Sequence, residues 1–295
     1  MAVVIPVRDP TVASLGDCAD ALASWGFDPA DEVSVSHAAN WLKRLGNDRS
    51  FLGDLLLGTL ADGGDAFASP LGAHSITLVP PGVNGTCIMA RIWPSERNHT
   101  YRASTPAAFG YGNTHDHNFD FLTMGYFGPG TVVDDYEYDY EAVAGWPGEP
   151  VQLRALGRSR LEPGRLVHYR AHRDVHCENP PAALSVTLSI LKVEPAQCWM
   201  DHYEFDTESG CIAKVNGHGP SESLLRIAVA LGSEEAIDLA KRFGQHHPSD
   251  RMRLDAWHAL ASVAPDAAAR DAVWQEAEGC GSRLVAEVAR QQRGA

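Results

Sequence analysis

The chain is 295 residues long, 44% apolar and 21% charged, with a formal net charge of −14. That size and composition suit one large or two modest globular domains with a substantial core, and the excess acid repels nucleic acid and anionic membranes. No stretch approaches the ~20 apolar residues of a membrane span and no basic start precedes an apolar run, so a cytoplasmic chain without nucleic-acid or membrane partners is expected.

From residue 11 to about 60, apolar residues recur at helical intervals: Val12, Leu15, Ala19 and Leu22, then Ala38, Trp41, Leu42 and Leu45, then Leu52, Leu55, Leu56 and Leu60. A helical lead-in over 1–70 follows, closed by a Gly-rich break at 62–65. The texture then turns to short β-type runs at 74–79, 86–93, 114–127, 132–140, 151–156, 166–170, 184–193 and 199–205. Many short strands without intervening helical patterns predict an antiparallel sandwich or barrel over 71–208 and count against a parallel α/β sheet. The acids Asp134, Asp135, Glu137, Asp139 and Glu141 read as the solvated face of an edge strand, and Tyr126, Tyr136, Tyr138 and Tyr140 as packing residues. Beyond Gly219, stripes such as Leu224, Leu225, Ala228 and Leu231 predict short helices over 209–295. Ser233, before two glutamates, and Ser249, before Asp250, are the expected N-caps; His246 and His247 read as a helix end.

The six cysteines, Cys18, Cys87, Cys177, Cys198, Cys211 and Cys280, have no CxxC spacing, so a zinc knuckle or disulfide framework is not expected. The densest chemical signal is Gly110-Tyr-Gly-Asn-Thr-His115-Asp-His117-Asn-Phe-Asp120. Residues two apart on a strand share a face, so His115 and His117 can aim both imidazoles at one point. Farther on come Pro163-Gly164, a strand holding His168, a short loop with His172, then His176, and an Asn179-Pro-Pro turn into Leu-Ser-Val-Thr-Leu-Ser-Ile.

That motif order resembles the cupin superfamily over roughly residues 72 to 205: HxH in a first motif, then a Pro-Gly turn and a single His. The resemblance implies a mainly β fold, a cupin (double-stranded β-helix or jelly-roll) barrel with a helical N-terminal lead-in and a helical C-terminal region. It implies a metal on His115, His117 and His176. Many cupins add a Glu after three or four residues that follow the second His, but Phe121 and Leu122 stand there. Asp120 falls one residue early and is expected in a solvent or hydrogen-bonding role. Three imidazoles without a carboxylate resemble the centre of cupin thiol dioxygenases, which implies Fe(II), although imidazole also suits copper, nickel and zinc.

The expected activity is oxidation of a small polar, amino-acid-like substrate by O₂ at a mononuclear non-haem iron. A metal-dependent isomerase or lyase, and a non-catalytic small-molecule-binding barrel with partner-binding helices, are the rival readings. Arg91, mid-strand, would clamp a substrate anion unless it faces solvent; Arg102 is a weaker candidate. Tyr169 and His168 alternate along one strand, so one of them would face inward and manage protons. His172 and Asp174 form an HxD pair like that of 2-oxoglutarate oxygenases, but His218 and Arg226, its only partners for the rest of that site, lie beyond the strands; the pair is expected to shape the loop before His176. The C-terminal helices would pack on the barrel or, in a homodimer, on a second subunit.

Overall fold

The computed structural model describes residues 2–61, 74–217 and 219–294. In chain order it contains β1 (Val3–Val4), α1 (Leu15–Trp25), α2 (Glu32–Asn47), α3 (Phe51–Ala61), β2 (Ser75–Val79), β3 (Thr86–Trp93), α4 (His99–Ala103) and β4 (Phe121–Phe127). There follow β5 (Thr131–Glu137), β6 (Arg154–Leu161), β7 (Leu166–Tyr169), β8 (Asp174–Asn179), β9 (Ser185–Lys192), β10 (His202–Asp206) and β11 (Cys211–Asn216). Five helices close the order: α5 (Pro220–Ala230), α6 (Glu234–His246), α7 (Asp250–Ser262), α8 (Ala267–Glu278) and α9 (Arg283–Gly294). With 41% helix against 25% strand, the chain is mixed rather than mainly β, because helices extend on both sides of the strand-rich segment. The Gly-rich break at 62–65 and the expected boundary at residue 70 lie outside the described residues.

Two compact units emerge, one formed by Met1–Tyr140, Gln152–Pro195 and Glu204–Gly210, the other by Glu141–Val151, Ala196–Tyr203 and Cys211–Ala295. In the first, a six-stranded antiparallel sheet runs β1-β7-β4-β9-β3-β2 and a three-stranded sheet runs β6-β5-β8. Among the described residues the two sheets share no strand pairing. Strict alternation sorts the larger sheet's side chains. Ile88 and Ala90 of β3, Leu122 and Met124 of β4, and Leu188 and Ile190 of β9 pack with Leu22, Ala38, Leu42 and Leu45 of α1 and α2. Met89, Arg91, Thr123, Tyr169, Thr187 and Ser189 turn to the other face and line a cavity, whose remaining wall includes Thr131, Val133, Leu161 and Glu178 of the smaller sheet. The helical lead-in thus buries one face of the large sheet and leaves the other for chemistry.

The observed strands correct two expectations. Residues 114–120 precede β4 instead of belonging to it, and β5 is the centre of its sheet, not an edge. Its acids are paired by that placement: Arg158 binds Asp134 at 2.6 and 2.8 Å, Arg154 binds Glu137, and Asp135 is buried.

The second unit carries a separate core around Val229, Ala240, Met252, Trp257, Trp274 and Val285. Ser233, Ser249 and Asp266 cap α6, α7 and α8 by accepting from the backbone N–H of Ala236, Met252 and Ala269. The pair His246 and His247 ends α6, and His247 Nδ1 accepts from Ser249 N at 3.1 Å. Arg251, buried on α7, binds Glu222 at 2.6 Å and also Asp201. A lone buried guanidinium would be costly, and the two carboxylates compensate it.

Candidate metal centre

Two backbone hydrogen bonds build the centre. His115 N donates to His176 O at 3.0 Å and His176 N donates to His115 O at 2.9 Å, an antiparallel bridge. Residues directly opposed in such a pair present their side chains to the same face. His117, two positions on, joins them, and its carbonyl accepts from His172 N at 2.9 Å. The ring centroids are 4.8 Å apart for His115 and His117, 4.6 Å for His115 and His176, and 5.1 Å for His117 and His176. Each ring offers a nitrogen within 4.8 Å of the other two. The three sequence-predicted ligands therefore meet at one place.

The donors fit a divalent transition metal. Nδ1 of His115 lies 2.9 Å from Asn113 O; a carbonyl can only accept, so Nδ1 carries the proton and Nε2 keeps its lone pair, the usual way a ligating imidazole is oriented. Burial first, then the neighbouring His176, pushes His115 down to about 4, which keeps the ring neutral as a ligand must be. His176 Nδ1 is buried without a hydrogen-bond partner. The rings of Phe119 and Phe121 stand 4.7 and 5.1 Å from His117, making the surroundings apolar.

The cavity beside the trio has a volume of ≈ 40 Å³, several times the ~10–15 Å³ that one water needs. Arg91 lines it, facing inward from β3, with its guanidinium carbon 5.9 Å from the Trp93 ring; no described carboxylate reaches it within 4 Å. Tyr169 lines it too, its ring 4.5 Å from that of His176. The Tyr169 hydroxyl donates to Asp135 Oδ1 at 3.0 Å. Burial, then the Asp135 charge, raises the phenol well above its ordinary value, while burial raises Asp135 as well.

Its neighbour His168 points the other way, toward Phe27 of the helical lead-in, with Nε2 3.2 Å from Asp120 Oδ1. The strand alternation that brings Tyr169 in takes His168 out, and Asp120 has the hydrogen-bonding role expected of it. Arg102, on α4, is exposed and donates to Glu96 O at 3.3 Å. In the HxD pair, Asp174 accepts from Arg170 N and Nε at 2.8 Å, and His172, at φ 56°, packs its ring at a tilt against Tyr140 with centroids 4.2 Å apart; both shape the loop. His218 lies outside the described residues.

One cavity residue was not anticipated. Glu178, two residues beyond His176 on β8, is buried and places Oε1 3.3 Å from His176 Nε2. Burial alone would raise its carboxyl, but the interactions with His176, including a side-chain hydrogen bond, and with His115 and Arg91 outweigh burial and hold it below the ordinary range. The signal was present as His176-Cys-Glu178, the same i, i+2 spacing that pairs His115 with His117.

No family model and no curated protein matches the chain. Among solved structures it is similar to the DMSP lyase DddQ from Ruegeria pomeroyi DSS-3, with 13% identity, 65% of this chain and 76% of that chain covered, and a TM-score of 0.27. It is similar to a cupin 2 domain-containing protein from Halorhodospira halophila (12%, 49% and 78%, 0.26) and to the hydroquinone 1,2-dioxygenase PnpCD (16%, 39% and 62%, 0.24). The chain spans 62% of that dioxygenase chain and 52% of a further DMSP lyase chain. Likenesses this distant carry no argument about activity; the three-imidazole cluster that the cupin resemblance implies is present in the chain's own geometry.

Proposed function

We propose that the chain is a cupin metalloenzyme that uses mononuclear non-haem iron and O₂ to oxidise a small polar substrate bearing an anionic group. The observation that carries this reading is the convergence of three imidazoles beside a cavity into which Arg91 faces. His115, His117 and His176 would hold iron(II), which would supply redox chemistry. Arg91 binds and orients the anionic end of the substrate, where a guanidinium in an apolar cavity is worth most. Phe119, Phe121, Met89 and Leu191 exclude water around the reacting group. Tyr169 lines the cavity with its hydroxyl hydrogen directed to Asp135, so a proton received by the phenol oxygen can be relayed to that carboxylate. This gives Tyr169 the proton-managing role and leaves His168 as a buried partner of Asp120.

The test begins with elemental analysis of protein purified without added metal, followed by oxygen-uptake measurements over a panel of small carboxylates and amino acids. Close to one iron per chain and substrate-dependent oxygen consumption are expected, with metal content near zero in His176→Ala. Turnover in the absence of O₂ would move the assignment to a metal-dependent isomerase or lyase. A His176→Ala protein that keeps its metal would remove the ligand assignment altogether.

A further inference from the structure

We infer that Glu178 is a fourth protein ligand of this metal centre, a carboxylate supplied by strand β8 two residues after His176. The inference rests on the three-histidine reading and deepens it. Three features of Glu178 point to a bound cation. It shares the cavity face of β8 with His176, since alternate residues of a strand project together. Its oxygen lies 3.3 Å from His176 Nε2. Two lone-pair atoms aimed at a common ion behave this way: bonds of about 2.1 Å at right angles put adjacent ligand atoms about 3.0 Å apart.

The third feature is energetic. A buried carboxylate normally takes hydrogen bonds or an ion pair, and leaving it bare costs several kcal/mol. Apart from the His176 contact, no described residue donates a hydrogen bond to the Glu178 carboxylate or forms an ion pair with it within 4 Å. The side chain instead lines the cavity that His117 also lines. A divalent cation there would supply the missing partner, and the carboxylate would lower the net charge that three neutral imidazoles leave on the ion. Glu178 approaches from the His176 side and lies outside the mutual 4.8 Å set of the histidines, so on loading its side chain swings toward His115 and His117.

The experiment measures the affinity of the metal-free protein and of Glu178→Gln and Glu178→Asp for Fe(II) and for Co(II), anaerobically, by competition with a chromophoric chelator. Visible spectra of the Co(II) forms and circular dichroism of the metal-free forms accompany it. Glu178→Gln, nearly isosteric, should weaken binding at least tenfold and change the Co(II) spectrum, with Glu178→Asp intermediate because its carboxylate is shorter by one methylene. An affinity within twofold of the parent overturns the inference, as does a weaker affinity with an unchanged Co(II) spectrum, which would make Glu178 a through-space charge. Should Glu178→Gln lose its fold, the Glu178→Asp affinity and spectrum decide by the same criteria. His176→Ala, measured alongside, separates the two claims: loss of metal there with unaltered Glu178→Gln leaves the three-histidine centre standing and removes only the fourth ligand.

Discussion

At the scale of single residues, the cavity's electrostatics extend beyond the ligands. The His74 ring packs against Trp93 and Phe109, with centroids 5.7 and 5.9 Å away, and burial, reinforced by the Arg91 charge, pushes it down to about 4. In the unfolded chain the same ring titrates near its ordinary value of 6.5. Between those values the unfolded state binds the extra proton, so stability falls as pH drops from 6.5 toward 4 and this contribution is flat below. His115 acts in the same sense in the metal-free protein. Urea unfolding of that form between pH 6.5 and 5, above the carboxylate range, should therefore show stability declining with acid, with a shallower slope in His74→Gln. An equal slope in the variant would mean that His74 titrates as freely in the fold as out of it. The choice between Tyr169 and His168 illustrates what one sequence position decides: alternation required one to face in, but only the pairing of β7 with β4 settles which.

At the scale of elements, the β4 strand depends on a missing side chain. Gly125 bonds from N to Arg165 O at 3.2 Å and accepts from Gly164 N at 2.8 Å, and a Cβ there would run into the carbonyl oxygens of Glu162 and Leu161. Backbone cannot yield as a flexible side chain can, so Gly125→Ala should cost about 1–3 kcal/mol. Gly53, inside α3 with open space around it, should respond oppositely, Gly53→Ala gaining about 0.5–1 kcal/mol from helix propensity. Chemical denaturation of both variants checks the pair. The helical lead-in and the strands at 86–93 and 184–193 were legible because their patterns are strong and the elements bury them. The segment 114–120 looked like a strand because it runs straight into the β-type residues of 121–127, yet its own Asp116, Asn118 and Asp120 are poor strand formers and it has only isolated bridges, at His115. Strand β8 escaped notice because Asp174, His176, Glu178 and Asn179 are poor strand formers; its pairing with β5 and the polar cavity it serves make it a strand. The same blindness hid Glu178, whose importance depends on which face β8 turns inward.

At the scale of the whole molecule, the two units hold disjoint cores, one centred on Leu42, Leu122, Leu188 and Ile190 and the other on Val229, Trp257 and Val285. Only the first contains the metal centre. Calorimetry of the metal-free protein should resolve two transitions, and adding Fe(II) anaerobically at about 100 times its dissociation constant should stabilise one of them by about 2.7 kcal/mol. A single transition that shifts as one would show that the units unfold together. The reciprocal peptide hydrogen bonds between His115 and His176 belong to the backbone and owe nothing to an ion. Chelation should consequently strip the site without dismantling its claw, so the emptied protein can be refilled, or charged with a different element, while remaining folded.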